Sequence, residues 1–183
     1  MPDPAELDEE SARYAAEVSE AARRSARTVA VAESLTSGAI ASHLGAAESA
    51  SDWFAGGVVA YSSEVKFTVL GVDRGPVVTS SCALQMAAGA ARLTGADFAV
   101  SVTGVGGPDP EEERPPGTVY IAVHTPEGET VEEHLFPGDD PQQILRDTIR
   151  SALQMLASRA RAFLLAEDSA VHDSADAPTV STG

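Results

Sequence analysis

Cysteine, lysine and aromatic residues are scarce in this sequence, and each scarcity closes off a class of structure or function. The single cysteine, Cys82, excludes an internal disulfide and a cysteine-built metal cluster. Aromatic residues make up 5% of the chain, too few for a stacking platform. With alanine abundant, closely packed layers of small side chains are expected. Positive charge is short as well: 12 basic residues stand against 28 acidic ones, a net charge of −16. The acidic excess falls in blocks, in PDPAELDEE, DPEEER, GETVEEH and the C-terminal tail. A nucleic-acid backbone would meet a repulsive field almost everywhere, with no basic stripe to offset it. No apolar run approaches the roughly 20 residues that cross a membrane. The acidic N-terminus has neither the basic nor the apolar region of a signal peptide, so the cytoplasm is the expected location.

What is present reads as one domain. The length of 183 residues suits it, since domains run to roughly 100–200 residues. Residues 1–7 are expected to be flexible, 8–165 to form the domain, and 166–183 to be a disordered acidic tail. Apolar spacing predicts a helix from about Leu7 to Arg24, then a short strand, TVAVA, from Thr28 to Ala32. AIASHLG reads as a helix, so ESLTSG lies where a strand hands over to a helix. A short helix from Ser49 to Phe54 precedes a strand, GVVAY, that ends at Tyr61, and SSEVKFTVLG reads as a capped helix. Further on, a helix (Thr79 to Leu93), a strand (Phe98 to Thr103), a hairpin (Gly117 to His124 and Thr130 to Phe136) and a long helix from Pro141 to about Leu165 are expected. The pattern is that of an α/β sandwich with a mixed sheet.

Three strand ends deliver polar residues: Glu33-Ser34 with Thr36, Tyr61-Ser62-Ser63, and Thr103-Gly104. In open α/β sheets, ligands bind outside the carboxyl ends of the strands. A serine nucleophile needs a base, and the histidines His43, His124, His134 and His172 have no triad context. Lysine can serve if burial lowers its pKa. Of the 12 basic residues 11 are arginine, and the one lysine, Lys66, follows Tyr61 closely. Two readings stand side by side: a Ser34–Lys66 pair with Tyr61 relaying the proton, or a helix-capping serine and a solvent-facing lysine. The corner Gly104-Val105-Gly106-Gly107-Pro108 has neither P-loop nor GxGxxG spacing. Its N–H groups suit a phosphate or an oxyanion, or it is simply a tight turn. The acidic run Asp109 to Glu113 reads as a solvated loop, and Asp97 and Cys82 as structural.

The ordered motifs AESLTSG, WFAGGVVAYSSEVKFTVLGV, MAAGA, ADFAVSVTGVGGPDP and PPGTVYIAV closely resemble the C-terminal domain of the competence/damage-inducible CinA proteins. The resemblance covers about Ala5 to Phe163. It implies a three-layer α/β/α domain, commonly a homodimer, that needs no metal or other cofactor. It also implies hydrolysis of the carboxamide of nicotinamide mononucleotide to nicotinate mononucleotide and ammonia, a step of pyridine nucleotide salvage for NAD. By that resemblance Ser34 is the nucleophile, Lys66 the base and Tyr61 its intermediary. Backbone N–H groups near Thr36, Ser37 and Gly38, or near Thr103, Gly104 and Gly106, would face the oxyanion, and Thr103 would hold ribose or phosphate.

Several positions depart from the family pattern. Leu35 replaces a cysteine, Ser37 a glycine and Ser63 an asparagine, and the loop DRGPVVTS is short. Where the family reads GDR, this chain has Gly138-Asp139-Asp140-Pro141, with Arg146 and Arg150 as the nearest basic groups. Asp139 or Asp140 near a phosphate would oppose its binding, and Arg146 is the residue placed to compensate. The alternative to an amidase on this nucleotide is an amidase on a less anionic substrate, or a diverged module that binds a ligand or partner without catalysis.

Overall fold

The computed structural model describes residues 4–138 and 140–175. Eleven elements follow in the order α1 (Pro4–Ser25), β1 (Val29–Glu33), α2 (Ala39–Ala46), α3 (Ala50–Trp53), β2 (Phe54–Val59), α4 (Ser63–Thr68), α5 (Ser80–Thr94), β3 (Phe98–Gly104), β4 (Thr118–Thr125), β5 (Gly128–Leu135) and α6 (Pro141–Ala175). The five strands form one mixed sheet in the order β2-β1-β3-β4-β5. β1 runs parallel to both its neighbours, pairing Glu33 with Val59 of β2 and with Val102 of β3. β3, β4 and β5 then continue as antiparallel pairs.

Alternation along the strands sorts side chains by size between the two faces. Val29, Val31, Val100, Val102, Ile121 and Val123 pack with α1, α2 and α6 through Val18, Ile40, Leu44, Leu153 and Leu156. The opposite face is built from Ala30, Ala32 and Ala99 against Cys82, Met86 and Ala90 of α5, and from Ala122 and Tyr120 against Ala83 and Ala87. Small residues there let α5 lie close to the sheet. Gly57 answers a similar need in β2, since a Cβ at that position would stand 2.4 Å from the carbonyl oxygen of Val31. The result is three layers, with helices on both sides of a mixed sheet. Among the described residues no helix is long and apolar enough to cross a membrane.

Both ends of the chain are more helical than their composition suggests. α1 begins at Pro4, inside the segment expected to be flexible, because Leu7 is buried and Ser11 Oγ bonds back to the Leu7 carbonyl at 2.8 Å. α6 runs to Ala175 rather than ending near Leu165, so residues 166–175 of the expected tail are helix. Two tail carboxylates have partners: Glu167 meets Arg27 at 3.2 Å and Asp168 meets Arg24 at 3.4 Å. Phe163 also stacks edge-on against Phe98, with ring centroids 5.3 Å apart. Residues 176–183 lie outside the described residues. Smaller shifts occur elsewhere: Phe54 opens β2 instead of closing a helix, and β2 ends at Val59, two residues before Tyr61.

Candidate active site

β1 ends in the buried carboxylate of Glu33, and the chain turns there into α2. Glu33 Oε2 accepts from the N–H groups of Gly38 at 3.0 Å and Ile40 at 3.1 Å, and Oε1 accepts from Ala41 at 2.8 Å. The first N–H groups of a helix have no partner within it, and here a side chain from the preceding strand supplies one. Two further bonds close the turn, Ser37 N–H to the Ser34 carbonyl at 3.1 Å and Ala39 N–H to the Thr36 carbonyl at 3.0 Å. Ser37 and Gly38 adopt left-handed backbone, φ 54° and 101°, which costs glycine nothing and serine a little. Ser34 is thereby fixed just past the carboxyl end of β1, and the segments that follow β1 and β2 pack on opposite faces of the sheet.

Lys66 comes to Ser34 from the other side. α4 starts with Ser62 as its N-cap, whose Oγ accepts from Val65 N–H at 3.4 Å. One turn on, Lys66 points inward and is only 2% exposed. Its Nζ donates to Ser34 Oγ at 2.9 Å, to the Ala60 carbonyl at 2.8 Å and to the Tyr61 carbonyl at 3.4 Å. An ammonium has three hydrogens to give, and three oxygens receive them. No carboxylate lies within ion-pairing distance of Nζ among the described residues. Burial pushes the Lys66 pKa below its ordinary 10.5, against weaker upward pulls from Cys82, Glu111 and Glu112. A neutral amine keeps two hydrogens and gains a lone pair. With Ala60 and Tyr61 holding those hydrogens, the lone pair of a neutral Lys66 would face the Ser34 hydroxyl.

The other expected site residues divide. Thr36 is 2% exposed, and its Oγ1 is buried with no hydrogen-bond partner. Gly106 lies against Leu35, its Cβ position 3.8 Å from the Leu35 side chain, which brings the glycine corner beside the Ser34 turn. Tyr61 serves differently from expectation. The residue is 69% exposed, and the group it brings to Lys66 is its backbone carbonyl and not its phenol. Gly38 N–H is taken up by Glu33, which corrects the expectation that it faces an oxyanion. Ser37 is exposed, and its Oγ lies 3.5 Å from the Leu35 carbonyl. Ser63 is exposed on α4.

Thr103 is buried, with Oγ1 donating to the Val77 carbonyl at 2.8 Å; this hydroxyl braces the loop before α5 and is not free for ribose or phosphate. Gly104 sits where a Cβ would lie 2.5 Å from the Thr118 carbonyl oxygen, a close strand contact and not a ligand contact. Arg146 is half-buried on α6, and its Nε has no hydrogen-bond partner. Asp140 Oδ1 accepts from Gln142 N–H at 3.0 Å and so caps α6. Asp139 lies outside the described residues.

Two contributors escaped the sequence reading. Glu33 was legible only as a strand end, although a carboxylate just before a helix start is itself a capping signal. Glu112 belongs to the acidic run read as a solvated loop, yet its carboxylate accepts from Val77 N–H at 2.9 Å and Val78 N–H at 2.7 Å. That pairing ties the loop to the segment Thr103 braces. Cys82 is structural as expected: burial pushes its thiol up to about 11, outweighing the pull of Lys66. Among the described residues no cluster of three His, Cys, Asp or Glu side chains is arranged to hold a metal ion.

Comparison with known proteins agrees with the resemblance. Residues 11–160 match the family model of the CinA C-terminal domain. A CinA-like protein of Frankia casuarinae is 41% identical over 134 residues, covering 70% of this chain and 31% of that protein. The chain thus spans about a third of the length of the curated relatives it matches. Among solved structures, the competence damage-inducible protein A of Klebsiella pneumoniae superposes with a TM-score of 0.77 at 30% identity, over 81% of this chain and 95% of that one. The competence/damage inducible protein CihA of Agrobacterium tumefaciens gives 0.70 at 33% identity, over 78% and 94%. The chain belongs to the CinA C-terminal domain family.

Proposed function

We propose that the protein is an amidohydrolase of the Ser–Lys type that acts on the carboxamide of nicotinamide mononucleotide. The observation that carries the reading is the 2.9 Å contact between Lys66 Nζ and Ser34 Oγ, made by a buried lysine with no carboxylate partner among the described residues. A structural lysine would keep its charge in water or pair it, because burying an unpaired charge is costly. A buried amine held against a serine hydroxyl is poised to take a proton.

Neutral Lys66 takes the Ser34 proton as Oγ attacks the amide carbon. The tetrahedral intermediate collapses when Lys66 returns that proton to the amide nitrogen. Ammonia leaves, and the acyl group stays on Ser34 as an ester. Lys66 then takes a proton from water, hydroxide adds to the ester, and the carboxylate product departs as Ser34 recovers its proton. The Ala60 and Tyr61 carbonyls keep Nζ in place through both halves of the cycle. Arg146, the residue the sequence places to compensate for Asp139 and Asp140, is the basic group assigned to the nucleotide phosphate.

Ammonia release from nicotinamide mononucleotide by the purified chain tests the reading, beside Ser34→Ala and Lys66→Ala. Activity that both substitutions abolish supports it. A folded wild-type chain that releases no more ammonia than the variants overturns it.

A further inference from the structure

Thr36 carries the one hydroxyl of the Ser34 turn that the protein leaves unused. Several other polar groups of the turn bond within it: the Ser34 and Thr36 carbonyls accept from Ser37 and Ala39, and Glu33 takes Gly38, Ile40 and Ala41. Of the turn's side-chain polar atoms, Thr36 Oγ1 alone is buried and without a partner, on a residue only 2% exposed. Native structures satisfy the large majority of buried polar side-chain atoms, and an unsatisfied one carries a desolvation penalty. Thr36 also lies two residues beyond the nucleophile, on the turn that positions it. With Glu33 filling the start of α2, that helix has no free N–H there for a developing negative charge.

We infer that the Thr36 hydroxyl is a donor to the carbonyl oxygen of the amide attacked by Ser34, satisfied only when substrate is bound. This rests on the amidohydrolase reading and names the group that stabilises its oxyanion. A preorganised donor of this kind acts most strongly as charge develops on the oxygen, so its loss falls on kcat more than on KM. An unsatisfied hydroxyl also predicts an unusual pairing of effects. Its removal lowers activity without lowering the stability of the free protein.

The test compares Thr36→Val, which keeps the shape and deletes the donor, with Thr36→Ser, which keeps the donor. Expected are a kcat on nicotinamide mononucleotide at least tenfold lower for Thr36→Val, with KM within about threefold. Thr36→Ser should retain most of the activity, and the melting temperature of ligand-free Thr36→Val should equal or exceed that of wild type. Wild-type activity in Thr36→Val, or a clearly lower melting temperature, overturns the inference, the second because it reveals a protein partner for the hydroxyl. If wild type releases no ammonia, the amidohydrolase reading fails, and the donor is judged by labelling of Ser34 with phenylmethanesulfonyl fluoride, whose sulfonyl oxygen needs the same donor. Labelling slowed tenfold in Thr36→Val then supports the inference, and an unchanged rate overturns it.

Discussion

The carbonyl oxygen of Ala60 accepts a hydrogen from Lys66 Nζ at 2.8 Å, so the segment that leads into α4 also anchors the head of the lysine that α4 carries. The amine is fixed by its own neighbourhood before Ser34 is considered. Burial lowers its pKa from 10.5 against the weaker pulls of Cys82, Glu111 and Glu112, and this has two consequences with pH.

The sign of the first follows from linkage. Between the lowered folded pKa and the ordinary value near 10.5, the unfolded chain binds more protons than the folded one, so stability contributed by this site rises with pH. Below the folded pKa the cost of burying the ammonium is fully present. Wild-type stability relative to Lys66→Met should therefore increase as pH approaches 10.5, measured by urea unfolding at several pH values. The same titration sets kcat/KM, which should rise with pH through the lowered pKa as the amine becomes neutral. A pH-independent stability difference would contradict the buried, pKa-lowered lysine.

Glu33 is expected to matter as much as Ser34 and Lys66, although its carboxylate is spent on backbone N–H groups at the start of α2. Glu33→Gln turns one acceptor oxygen into a donor facing the backbone N–H groups of α2. A charge-assisted bond is lost and a buried donor is left opposed, at about 3 kcal/mol by the usual magnitudes. Urea unfolding should show that loss, and kcat should fall with it because the same carboxylate sets the Ser34 turn. Wild-type stability in Glu33→Gln would mean that the cap contributes little.

Tyr61→Phe should leave kcat within about threefold of wild type, because the residue supports Lys66 through its backbone carbonyl and a retained ring and backbone preserve that support. A loss of a hundredfold or more in ammonia release would return the phenol to the proton path.

The proposed function assigns the nucleotide phosphate to Arg146. Arg146→Ala should raise KM for nicotinamide mononucleotide by tenfold or more, the scale of one charge-assisted contact. It should leave the phosphate-free nicotinamide riboside unaffected. Equal effects on both substrates would remove Arg146 from the phosphate site and favour the less anionic amide as the natural substrate.

The sheet was readable because its strands keep a period of two with opposite faces of different size: Val29 and Val31 on one side, Ala30 and Ala32 on the other. Ser34 and Lys66 were readable as residue types at strand ends, and their proximity required β1 and β2 to pair in parallel. The roles of Tyr61 and Thr103 were not readable. A side chain and a carbonyl of one residue can face different ways at a strand end, as in Tyr61. A hydroxyl placed for a ligand can instead be bound by a loop 26 residues away, as Thr103 is by Val77. The end of α6 was missed because Glu167 and Asp168 read as solvating charge, when their partners Arg27 and Arg24 belong to the α1–β1 corner.

The most direct measurement is peptide-mapping mass spectrometry of the protein acid-quenched during turnover of nicotinamide mononucleotide. An ester adduct confined to the peptide containing Ser34, absent in Ser34→Ala and strongly reduced in Lys66→Met, is the predicted result. Steady ammonia release with no adduct, or an adduct on another residue, would contradict a Ser34 nucleophile activated by Lys66.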